Sequence, residues 1–109
     1  MSDNVLQDLY QVILSRKADP QEGSYTCYLF DKGLDKILKK VGEECAETII
    51  AAKNGEQEPT VGEISDLIYH LLVMMAAQRI PLSAVLEELE RRSHKIGNLK
   101  EQKVVDRET

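Results

Sequence analysis

Apolar residues recur at helical spacing along most of the chain, in runs separated by short polar stretches. Asn4 can cap a first helix in which Val5, Leu6, Leu9, Val12 and Ile13 form an apolar stripe, with Gln7, Asp8, Gln11 and Arg16 toward water. The Asp19-Pro20 pair and Gly23 mark a polar loop, after which Ser24 can cap a short turn over 25–30 that ends at Gly33. A long helix is expected over 35–54, stopped by Gly55, with Leu34, Ile37, Leu38, Val41, Cys45, Thr48, Ile49 and Ala52 as its core stripe. Lys40, Glu44, Glu47 and Ala51 fall on the flank of that stripe, while Ile50 projects nearly opposite it. Thr60 followed by Glu63 fits a capping box, which starts the next helix at Val61. That helix is apolar almost all round, so it belongs in the middle of a bundle, and its one polar strip is Glu63, Asp66 and His70. Pro81 breaks it after Arg79 and opens a last helix, with Leu82, Val85, Leu86 and Leu89 inward and Gly97 as its stop.

Composition agrees with an all-α fold, a small antiparallel helical bundle. Aromatic residues are 5% of the chain against abundant Leu, Ile, Val and Ala, a balance that favours helix packed on helix. At 109 residues one domain is expected, over 1–97, followed by a polar tail over 98–109. So small a core gains from association with a second chain. The net charge of −5 disfavours a broad nucleic-acid surface. Cys27 and Cys45 fit no disulfide or metal motif, which points to a reduced, cytoplasmic setting. No membrane association is expected, since the longest apolar stretch, 67–77, is too short to span a bilayer.

The chemistry lies in two acidic doublets. Glu44 and Glu47 stand three residues apart, as do Glu63 and Asp66, and each pair therefore shares one helix face. Carboxylates gathered closely repel each other and resist desolvation, and a bound cation relieves both costs. Oxygen ligands without Cys or His at ligand spacing point to a hard divalent ion, Mg²⁺ with Mn²⁺ as the alternative. Such ions usually accompany phosphate, so a helical site that hydrolyses a nucleotide pyrophosphate bond is expected.

Ser24-Tyr25-Thr26, the run from Lys32-Gly33-Leu34-Asp35-Lys36-Ile37 through Glu43-Glu44-Cys45-Ala46-Glu47, and Glu63-Ile64-Ser65-Asp66-Leu67-Ile68-Tyr69-His70 closely resemble the phosphoribosyl-ATP pyrophosphatase family. That family belongs to the all-α, MazG-type nucleotide pyrophosphohydrolases. The resemblance implies Mg²⁺-dependent hydrolysis of phosphoribosyl-ATP to phosphoribosyl-AMP and pyrophosphate, the second step of histidine biosynthesis. It also implies Glu44, Glu47, Glu63 and Asp66 as metal ligands and an interlocked homodimer, which would cover Ile50 and the apolar third helix. Many relatives end in a Ser-Gly-x-x-Glu-Lys segment where this chain reads Lys95-Ile96-Gly97-Asn98-Leu99-Lys100.

In that reaction a water attacks the phosphate, metal held by the four carboxylates would lower its pKa, and Glu43 or Glu47 would take its proton. Lys36 and Lys40 offset phosphate charge, and His70 orients a ligand from behind. Each residue also has a plainer reading. Glu63 can be the capping-box partner of Thr60, Glu43, Glu44 and Glu47 with Lys36, Lys39 and Lys40 a solvated face laced with helical ion pairs, and His70 a hydrogen-bonded core histidine. Arg91, Arg92, His94 and Lys95 can meet a ribose phosphate or merely complement a helix dipole. The competing functions are pyrophosphohydrolysis of another nucleoside triphosphate and a non-enzymatic helical dimerisation module. A di-iron bundle is disfavoured for want of Glu-x-x-His on two helices.

Overall fold

A computed structural model of the chain describes residues 4–95. Among them are five helices: α1 (Val5–Ala18), α2 (Tyr25–Lys32), α3 (Leu34–Asn54), α4 (Gln57–Ala77) and α5 (Leu82–Ser93). No strand occurs among the described residues, as the composition anticipates. The local punctuation explains most boundaries. Ser24 caps α2, its hydroxyl accepting from the Cys27 backbone N–H at 3.2 Å. Gly55 closes α3 with φ 78°, and its N–H donates to the Ala51 and Ala52 carbonyls. The end of α4 is a Schellman turn, in which Arg79 donates to Ala76 and Ile80 to Met75 across 3.2 and 2.9 Å. Arg79 takes the position usually given to glycine, at φ 60°, and Pro81 then prevents continuation.

Several expectations need correction. α4 begins at Gln57 rather than Val61, so Thr60 lies inside its first turns and its hydroxyl donates to the Glu56 carbonyl at 2.7 Å. Pro59 sits third in that helix, where the missing N–H has no intrahelical partner to lose. The Thr60–Glu63 capping box is therefore absent. α5 ends at Ser93, short of Gly97, which lies outside the described residues together with the tail over 98–109. Within α5, Leu82 is buried and Leu86 half-buried, but Val85 and Leu89 are exposed.

α3 and α4 form an antiparallel hairpin, the most extensive helix pairing in the molecule, with α1 and α2 packed across it. The core gathers Tyr10 and Ile13 of α1, Leu29 of α2, Ile37 of α3 and Leu72, Val73, Met75 and Ala76 of α4. Tyr10 and Lys17 reach across from α1 to the Ile80 and Ala76 carbonyls at 2.6 and 2.8 Å, satisfying acceptors at the end of α4. α3 buries only part of the expected stripe, Ile37 fully and Val41 and Thr48 by half. Ile37, Glu44 and Ala51 are its buried residues, whereas Leu34, Leu38, Cys45, Ile49 and Ala52 are exposed. α3 is thus rotated so that Glu44, not its leucines, faces α4. Ile49 is 69% exposed, and on α4 Val61, Ile64 and Ile68 are also exposed. By length and composition α4 could cross a bilayer, although 28% of its most apolar window is already buried.

Candidate active site

The rotation of α3 against α4 brings the two doublets together. Carboxylate oxygens of Glu44, Glu63 and Asp66 lie within 4.8 Å of one another. Thr48, which spacing places in the core stripe, holds the crossing, its hydroxyl reaching the Glu44 carbonyl at 2.7 Å and the Glu63 carbonyl at 3.3 Å. Glu44 is 5% exposed, and one oxygen each of Glu44 and Glu63 is buried with no hydrogen-bond partner. A buried acceptor left unsatisfied costs roughly 1–3 kcal/mol, and more when charged. Two of them side by side are a poor end state for a folded protein and a good one for a cation site.

Electrostatics support that picture. Burial raises the Glu63 pKa, and the neighbouring Glu47 and Glu44 raise it further. Glu47 thus stands against Glu63, though exposed at the edge of the cluster. Lys40 lies 3.7 Å from Glu44 and 3.9 Å from Glu43. Desolvation alone would lower its pKa, but the Tyr25 phenol and Glu43, Glu44 and Glu47 together raise it, so its charge is secure. Lys36 is half-buried one turn earlier and makes no ion pair among the described residues.

His70 is 4% exposed, and both of its ring nitrogens bond groups other than the cluster's carboxylates. Its Nδ1 meets the Asp66 backbone carbonyl at 2.7 Å and its Nε2 the Tyr25 hydroxyl at 3.0 Å. Burial raises the Tyr25 pKa, Lys40 lowers it, and Glu44 raises it again, which places the phenol beside the site. Thr26 and Tyr69 join hydroxyls in a short hydrogen bond just behind. Tyr69 is not singled out by the helical pattern. Its place three residues after Asp66, on the same turn as His70, is the signal that marks it. Arg91 and Arg92 pair with Glu88 and His94 approaches Glu90, so three members of the basic patch are engaged on their own helix.

The donor set suits a hard cation. All the donors of the cluster are carboxylate oxygens, the ligand type such an ion prefers.

Comparison with known proteins gives the family. The family model described as "Phosphoribosyl-ATP pyrophosphohydrolase" matches residues 6–93. A Listeria monocytogenes protein named "Phosphoribosyl-ATP pyrophosphatase" is 58% identical over 102 residues, 94% of this chain and 98% of its own length. One of the same name from Clostridium botulinum is 53% identical over 106 residues, 96% of each chain. With helices, acids and near full-length similarity in agreement, the chain belongs to the phosphoribosyl-ATP pyrophosphohydrolase family.

Proposed function

We propose that the chain hydrolyses phosphoribosyl-ATP to phosphoribosyl-AMP and pyrophosphate, using a divalent ion, Mg²⁺ or alternatively Mn²⁺. The observation that carries the metal is the pair of buried, unpartnered oxygens on Glu44 and Glu63. Glu44, Glu63 and Asp66 would hold it, with Glu47 completing the set from the edge. When bound, the ion neutralises phosphate oxygens and lowers the pKa of a coordinated water. The proton of the attacking water passes to Glu43 or Glu47, the acids of this α3 cluster that keep contact with solvent. Lys40, fixed between Glu43 and Glu44, faces the negative charge that grows on the phosphate oxygens, and Lys36 extends that positive field one turn back. His70 acts at one remove, through the Asp66 backbone and Tyr25.

The exposed apolar faces of α3 and α4 support a homodimer in which two hairpins cover each other. This reading makes α4 a core helix of the assembly rather than a membrane span. The free thiols of Cys27 and Cys45 suit a reducing, cytoplasmic interior.

The test is product analysis with phosphoribosyl-ATP beside common nucleoside triphosphates. Wild-type protein should release pyrophosphate from phosphoribosyl-ATP in a Mg²⁺-dependent manner. Glu44→Gln and Asp66→Asn should each lose at least about a hundredfold in turnover. Near-normal turnover in both variants, or preference for another triphosphate, would overturn the proposal.

A further inference from the structure

The chain has four tyrosines, one phenylalanine and no tryptophan, yet three of the tyrosines stand in one row, with Tyr25 next to Glu43 and Glu44 of the acid cluster. The Tyr25 and Tyr28 rings are 6.0 Å apart and 21° from parallel, and Tyr25 and Tyr69 are 6.2 Å apart and 29° from parallel. Tyr69 is half-buried at the inner end. Tyr25 and Tyr28 remain 46% and 43% exposed, and neither belongs to the hydrophobic core. Lys32 lies over the Tyr28 ring, 5.7 Å from its centre, and Tyr25 rests against Tyr28, Tyr69 and His70, yet each of the two rings keeps a large part of its surface in water.

The row is also held in place. A carbonyl can only accept, so His70 Nδ1 carries a proton toward Asp66, and its Nε2 shares a hydrogen bond with the Tyr25 hydroxyl. Tyr25 is thereby pinned to the backbone of a residue whose side chain belongs to the acid cluster. The exposed rings line a shallow concavity of about 570 Å³ between α2 and the loop before it, together with Gln21 and Asp31.

We propose that Tyr25 and Tyr28 are the platform on which the purine base of the nucleotide stacks while its polyphosphate lies against the acids. The proposal rests on the pyrophosphohydrolase reading above and adds to it the part of the site that selects a nucleotide over a bare polyphosphate. Aromatic faces bind bases through stacking and dispersion, and Gln21 and Asp31 offer a donor and acceptors to the base edge. The His70 bond fixes the distance from platform to acids, which makes His70 a positioning residue.

Steady-state kinetics of the full chain with phosphoribosyl-ATP and Mg²⁺ test this, using the wild type, Tyr28→Ala and Tyr28→Phe. Tyr28→Ala should raise KM about tenfold, equivalent to about 1.4 kcal/mol, with the effect on KM rather than kcat. Tyr28→Phe should bring KM back toward the wild-type value, because it restores the ring. Inhibition by Mg²⁺-tripolyphosphate, which has no base, should be equal in all three. An active wild type with an unchanged KM in Tyr28→Ala overturns the platform alone, as does equal weakening of tripolyphosphate binding. An inactive wild type removes both the platform and the function on which it rests.

Discussion

Glu63 and Glu88 are the same side chain driven in opposite directions by their surroundings. Burial and like-charged neighbours push the Glu63 pKa up, whereas hydrogen bonds from Arg91, aided by the charges of Arg91 and Arg92, pull Glu88 down to about 2. A depressed carboxylate adds stability above its ordinary value of 4.5, and that stability is lost as pH falls from there through 2. Because Glu88 lies on an exposed helix face, its contribution is small, and the titration itself is the better observable. Followed by NMR, the Glu88 carboxyl should titrate near 2 in the wild type and move toward 4.5 in Arg91→Gln, and a wild-type midpoint at the ordinary value would contradict the pairing. At this scale the sequence discloses residue types and spacing, which is enough to group Glu44 with Glu47 and Glu63 with Asp66. It does not disclose which oxygen is buried, because that depends on how two helices are rotated. The roles of Thr48, Tyr25 and Tyr69 are hidden for the same reason, since each acts across an interface between elements.

Helix boundaries set by local chemistry are legible: Ser24, Gly33 and Gly55 act within one turn of themselves and stand where their residue types indicate. The start of α4 is less so. Pro59 resembles a loop residue in sequence, but in the first turn of a helix it is harmless. The core face of α3 is misjudged for a different reason. Apolar spacing marks every face that meets apolar surroundings, whether they come from the same chain or from another. The stripe of Leu34, Leu38 and Ile49 is periodic and yet exposed, as are Val61, Ile64 and Ile68 opposite. We expect these residues to form the two-fold interface. In such an interface Ile64, 42% exposed here, is buried twice, once from each subunit. At about 2 kcal/mol for each copy, Ile64→Glu should weaken the dimer by roughly a thousandfold. Sedimentation velocity at micromolar concentration should show a dimer for the wild type and a monomer for the variant. A wild type that sediments as a monomer would contradict the interface.

For the molecule as a whole, the all-α class follows from the sequence because helical period and scarce aromatics point the same way. The convergence of two acid pairs distant in sequence needs one further condition, an antiparallel hairpin with a two-residue turn at Gly55 and Glu56, and the fold supplies it. From this arrangement comes the central claim that acids on both helices jointly hold one divalent centre. Thermal melting with and without Mg²⁺ tests it most directly, because an ion bound only by the folded state stabilises that state, by about 2.7 kcal/mol at a hundredfold excess over its Kd. A domain of this size should then melt on the order of ten degrees higher in saturating Mg²⁺. The gain should vanish in Glu44→Gln/Asp66→Asn. A wild type whose Tm ignores both Mg²⁺ and Mn²⁺, or a double variant that gains as much as the wild type, would contradict it.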